Sequence, residues 1–146
     1  MIGVSYWAFF GTIYLILLSY QDLKNNNNVD ERKNFFMFGI TISLLSHIIF
    51  NWGLLIAYLV IIFGLAFLAN KYKVIGEADL QSLGWIFYGF ILLNIWGLVL
   101  FVSLFSIITL IYFIFKKFII KIDKPTPFYL VILLSYVIAC IGAGVY

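Results

Sequence analysis

Two segments of the chain, residues 35–69 and 80–115, are apolar almost throughout. As single helices they would run about 52 Å and about 54 Å at roughly 1.5 Å per residue. The hydrocarbon core of a bilayer is only about 30 Å thick. Each segment must therefore fold back on itself. His47, Asn51 and Gly53 mark the hairpin in the first, and the Asn94-Ile95-Trp96-Gly97 stretch marks it in the second. Apolar runs at residues 2–20 and 127–146 add one helix each. The prediction is six helices, near residues 2–21, 35–50, 53–70, 79–94, 96–116 and 127–145. A closed barrel would need alternating polarity, which these runs lack.

Composition supports an all-α integral membrane protein with six transmembrane helices. The 146 residues are 65% hydrophobic and 10% charged. A soluble domain of this size has too little interior to hide so much apolar surface. Residues 1–146 are read as a single six-helix transmembrane domain. The first run lacks a basic leader and a small-residue cleavage site, so it is taken as the first membrane helix. A lone cysteine, Cys140, and a lone histidine, His47, exclude an intrachain disulfide and a zinc site built from those residue types. No metal or cofactor is expected. Cys140 reads as a packing residue.

The charges orient the helices. All nine Lys and Arg residues fall in three loops: Lys24, Arg32 and Lys33; Lys71 and Lys73; Lys116, Lys117, Lys121 and Lys124. With six helices those loops share one side, which the positive-inside rule makes cytoplasmic. Both termini then face the non-cytoplasmic side. The net charge of +3 reads as membrane orientation and headgroup contact, not nucleic-acid binding. All six acids, Asp22, Asp30, Glu31, Glu77, Asp79 and Asp123, lie on the same cytoplasmic side.

Two of these acids border helices: Asp22 ends the first and Asp79 begins the fourth. Those helices are predicted to be neighbours, with the carboxyls within about 10 Å of each other, allowing a water or a modest rearrangement between them. Two carboxyls in a partly desolvated site tend to hold one proton between them. The ionised partner can take a proton from water, and the protonated one can donate to a peptide. Plainer roles exist for both. Asp79 suits the N-terminus of a helix, where it can cap backbone N–H groups. Asp22 can be an interfacial charge paired with Lys24.

The stretch Gly76-Glu77-Ala78-Asp79-Leu80, running on to Gly84, resembles the G-x-G-D motif of type IV prepilin leader peptidases and archaeal preflagellin peptidases. Asp22-Leu23-Lys24 resembles the first Asp motif of that family, and Pro125, Pro127 and Phe128 resemble its entry to the last helix. The resemblance implies a membrane aspartyl endopeptidase with Asp22 and Asp79 as the catalytic pair. Gly76, Glu77 and Pro127 would support the site. The implied substrate is a prepilin-like or preflagellin-like membrane protein whose basic leader is cut at the cytoplasmic face of the cell membrane. Ala78 departs from the motif's second Gly, and Gln81 stands where the family usually has Lys. The cysteine-rich insert that accompanies N-methylation in many bacterial members is missing, so no methyltransferase activity is expected.

The rival class is a non-enzyme, such as a small transporter, channel subunit or assembly factor, or an inactive peptidase relative. Interfacial acids also mark ion pathways. The chain shows no convincing internal repeat, which favours the peptidase. His47 is predicted at the opposite membrane face from both aspartates. The Asn25–Asn28 tract reads as a solvated linker or as a flap over the site.

Overall fold

The computed structural model describes residues 2–24, 32–45, 52–72, 77–115, 118 and 128–146. Those residues form an all-helical fold with no strand among them: α1 (Ile2–Lys24), α2 (Arg32–Leu45), α3 (Trp52–Tyr72), α4 (Glu77–Leu93), α5 (Ile95–Phe115) and α6 (Phe128–Gly142). The six helices match the hydropathy runs, and their ends differ by a few residues. Apolar runs stop at the first polar side chain, but backbone hydrogen bonding continues past it. So α1 continues to Lys24 and takes Asp22 into its last turn. α2 begins at Arg32 and brings Asn34 into its first turn. α4 begins at Glu77, which makes Asp79 a first-turn residue instead of the residue that starts the helix.

The expected second hairpin turn is built on one residue. The Asn94 N–H still donates to the Phe90 carbonyl at 2.8 Å, closing α4. Its carbonyl accepts from the Gly97 N–H at 3.0 Å, and its Oδ1 accepts from the Trp96 N–H at 3.0 Å, opening α5. A short polar side chain that caps the next helix makes so tight a corner feasible. α6 stops earlier than its apolar run does. Gly144 takes a left-handed φ of 67°. The Gly144 N–H then reaches the Ile141 carbonyl at 3.1 Å and the Val145 N–H reaches Cys140 at 2.9 Å, which completes a Schellman ending. The hairpin around His47 and Asn51, and the Asn25–Asn28 tract, lie outside the described residues.

α1 packs on α2 and α6, α4 packs on α2 and α5, and α5 packs on α6, so these five helices close a ring. α3 lies outside the ring against α4. α1 and α4 face each other across the ring and touch through large rings, so they are neighbours by side-chain contact and not by close backbone approach. Trp7 of α1 meets Trp85 at 6.2 Å and Phe90 at 5.4 Å between centroids, both edge to face, and Tyr136 of α6 at 5.4 Å. Trp7 Nε1 donates to Thr41 Oγ1 of α2 at 3.0 Å, so its polar edge is satisfied as well. Trp7, Trp85 and Tyr136 are fully buried.

Glycines make room for this layer. A Cβ on Gly89 would fall inside the Trp7 ring, and one on Gly11 would fall against the Tyr136 hydroxyl. Cys140 is buried beside this core, as its apolar surroundings in the sequence imply.

The outer surface is apolar. α5 presents Trp96, Val99, Val102, Ile107, Leu110, Ile111 and Phe113 outward. Among the described residues, Gly3–Lys24 and Ile95–Phe115 are long and apolar enough to cross a membrane, and Phe36–Leu45, Ala78–Leu93 and Phe128–Gly142 are shorter apolar helices.

The aromatic layer makes a prediction about two glycines. Gly89→Ala should destabilise the fold by about 1–3 kcal/mol, because Trp7 has to move. Gly39→Ala, where an added Cβ meets nothing within 4 Å, should stabilise it by about 0.5–1 kcal/mol through helix propensity. Denaturant unfolding of the purified protein measures both. Equal effects at the two positions would contradict the packing described.

Candidate active site

Asp22, Asn34, Asp79, Ser82 and Tyr129 come from four helices and gather at one end of the ring. That end holds the last turn of α1 and the first turns of α2, α4 and α6. Asp22 is buried, at 4% exposure. In the last turn of α1 the helix dipole disfavours a carboxylate. A second helix compensates. Asp22 Oδ2 accepts from the Tyr129 N–H at 3.4 Å, and the Phe128 N–H also points to this carboxylate. Asp22 therefore sits on the first turn of α6, where free N–H groups and the dipole favour negative charge. This overturns its plainer expected role: Lys24 lies over the Tyr20 ring, 5.9 Å from its centroid, and Asp22 serves α6.

Asp79 is half-buried in the first turn of α4 and lies in the electrostatic field of Asp22. The two acids thus lie at the same end of the ring, on helices that touch through Trp7. Gly76 and Pro127 lie outside the described residues. Glu77 starts α4, and its side chain lies outside them too.

Below the acids runs a hydrogen-bonded polar network in an otherwise apolar interior. Asn34, with no exposed surface, is its centre. Its Nδ2 donates to the Ala78 carbonyl at 3.1 Å, which holds the peptide next to Asp79. Its Oδ1 accepts from the Tyr14 hydroxyl at 3.1 Å and from Ser82 Oγ at 2.9 Å. Ser82 Oγ is also 3.1 Å from the Tyr129 hydroxyl. Sequence reasoning missed Tyr14, Asn34, Ser82 and Tyr129. Their only sequence signal is a polar atom inside or beside an apolar run, which is costly unless paired.

Gln81 is buried in α4 with Oε1 unpartnered. A neutral amide is tolerated at such a buried position far better than the charge of a lysine. A second buried oxygen without a partner, Ser19 Oγ, lies one turn before Asp22 on α1. Beside the network, a cavity of about 310 Å³ opens between α1 and α2, lined by Tyr14, Leu17, Leu18, Gln21 and Phe36.

Chemically, two carboxyls, a phenol and a serine hydroxyl converge where helix ends meet. Such a set can bind and move protons, and it can orient a water between two acids. Comparison with protein-family models, with curated proteins and with solved structures finds no match.

Asn34→Ala should leave a buried carbonyl and two hydroxyls short of a partner and lower stability by about 1–3 kcal/mol. Ser106→Ala, at an exposed serine that bonds only to the Val102 carbonyl, should change it by less than about 0.5 kcal/mol. Denaturant midpoints of both variants test this. An Asn34→Ala protein as stable as the parent would show that the network does not hold the helix ends.

Proposed function

We propose that the chain is a multi-pass membrane aspartyl endopeptidase with Asp22 and Asp79 as its catalytic pair. One observation carries the reading: two acids distant in sequence lie at one end of an apolar helix ring, with Asp79 in the field of the buried Asp22. The outward face of α5 supports a bilayer setting, because a monomer in water rarely exposes so large an apolar surface. The basic loops make the acid-bearing end cytoplasmic. The likeness to prepilin and preflagellin peptidases supplies the substrate class, a membrane-inserted precursor with a basic leader.

In this reading the pair shares one proton and titrates as a unit. The ionised carboxyl takes a proton from a bound water as the oxygen attacks the scissile carbonyl. The protonated carboxyl donates to the carbonyl oxygen. Collapse of the tetrahedral intermediate breaks the C–N bond, and a proton passes to the leaving amine. Asp22 is held by α6, whereas Asp79 is the more exposed of the two. That suits Asp79 to contact substrate.

Two tests follow. Asp22→Asn and Asp79→Asn keep size and polarity but cannot shuttle a proton. Each should lose cleavage of a co-expressed prepilin-like substrate by orders of magnitude, about 10²-fold or more. Asp123→Asn should remain active. Full cleavage by purified Asp79→Asn protein would refute the catalytic role and favour the ion-pathway reading of the same acids. Single cysteines at positions 121 and 51, in a chain lacking Cys140, should be labelled from opposite sides of the membrane. Labelling from the same side would refute the six-span topology.

A further inference from the structure

Tyr129 touches both halves of the candidate site through different atoms. Its backbone N–H donates to Asp22 Oδ2 at 3.4 Å. Its hydroxyl lies 3.1 Å from Ser82 Oγ. Ser82 follows Asp79 by three positions on α4 and shares its helix face. The Tyr129 side chain is 2% exposed, so its hydroxyl must find its partners inside the protein. That hydroxyl also lies in the field of both Asp79 and Asp22.

From these contacts we infer that Tyr129 is a positioning residue that couples the Asp22 and Asp79 carboxyls, with Ser82 and Asn34 setting the direction of its hydroxyl. The peptidase reading is needed only for the catalytic consequence; the coupling itself stands on the geometry.

Counting protons shows how the coupling works. Ser82 has one hydroxyl proton and two oxygens within reach, Asn34 Oδ1 at 2.9 Å and the Tyr129 hydroxyl at 3.1 Å. The amide oxygen of Asn34 can only accept. When Ser82 donates to Asn34, the Tyr129 proton is taken up by Ser82 Oγ. When Ser82 donates to Tyr129, the phenol oxygen is the acceptor and the same two helices stay joined. Asn34 Oδ1 keeps the Tyr14 hydroxyl as a donor in either arrangement, so it is never left bare. In either arrangement the Tyr129 hydroxyl holds α4 one turn from Asp79 while the Tyr129 N–H holds Asp22, so one residue fixes both acid-bearing helix ends.

The aromatic ring and the backbone donor survive in Tyr129→Phe, and only the hydroxyl is lost. Infrared difference spectra of the full chain in lipid vesicles read the pair directly, at a pH low enough to protonate it. The carboxylic C=O band lost in Asp22→Asn or Asp79→Asn identifies the pair. Tyr129→Phe should shift that band. With a prepilin-like substrate it should lower kcat by about tenfold to a hundredfold and leave KM little changed, as expected for misplaced reacting groups. Ser82→Ala, which leaves the phenol in place but removes its anchor, should shift the band and kcat in the same direction. Tyr6→Phe, at an exposed tyrosine near the far end of α1, should change neither. An unmoved band in both Tyr129→Phe and Ser82→Ala overturns the coupling, even if Asp79→Asn abolishes cleavage. A shifted band in a chain that cleaves nothing upholds the coupling and refutes the peptidase.

Discussion

The contact between the Asp22 carboxylate and the first turn of α6 is the constraint around which the polar end of the molecule is arranged. A carboxylate at the end of its own helix is poorly placed, because the carbonyl end of α1 repels it. The free N–H groups that open α6 have the opposite need. Bringing the two together satisfies both, and it ties residues 107 positions apart. With α1 and α6 joined there, Tyr129 enters the interior and its hydroxyl reaches Ser82 on α4. Ser82 and Ala78 in turn engage Asn34 on α2. This chain of bonds holds the helix end that carries Asp79.

The rest of the interior makes that arrangement stable. Trp7, Trp85, Phe90 and Tyr136 fill the ring beyond the polar end, and Gly11 and Gly89 let the helices accept those rings. α1 and α4 touch through this aromatic layer, with Trp7 seated against Gly89. A polar network at such a place is costly when half satisfied and specific when complete. Here Asn34 uses its amide donor and accepts twice at its oxygen, which is why replacing it reaches further than replacing a surface serine.

Six helices were legible because run length and charge placement are local properties of the sequence. The Asn94 corner was legible for the same reason: one short polar residue and a glycine interrupt an apolar run too long for one helix. Asp22 and Asp79 stood out as the acids at helix borders. The network did not stand out. Asn34 pairs with residues 20, 44 and 48 positions away, and no spacing rule links them. Nor does local pattern reveal that Asp22 serves a helix at the other end of the chain. Sequence shows which helices carry acids but not the ring order, in which α1 and α4 meet through side chains and not by close backbone approach.

The central claim is that Asp22 and Asp79 behave as one unit. Carboxyl ¹³C NMR of aspartate-labelled protein tests it most directly, with the Asp22 signal followed through a pH titration in the wild type and in Asp79→Asn. If the acids share a site, removing the Asp79 charge should simplify and displace the Asp22 titration, and the reciprocal variant should do the same to Asp79. Superimposable Asp22 curves in the two proteins would show two independent carboxyls and contradict the claim.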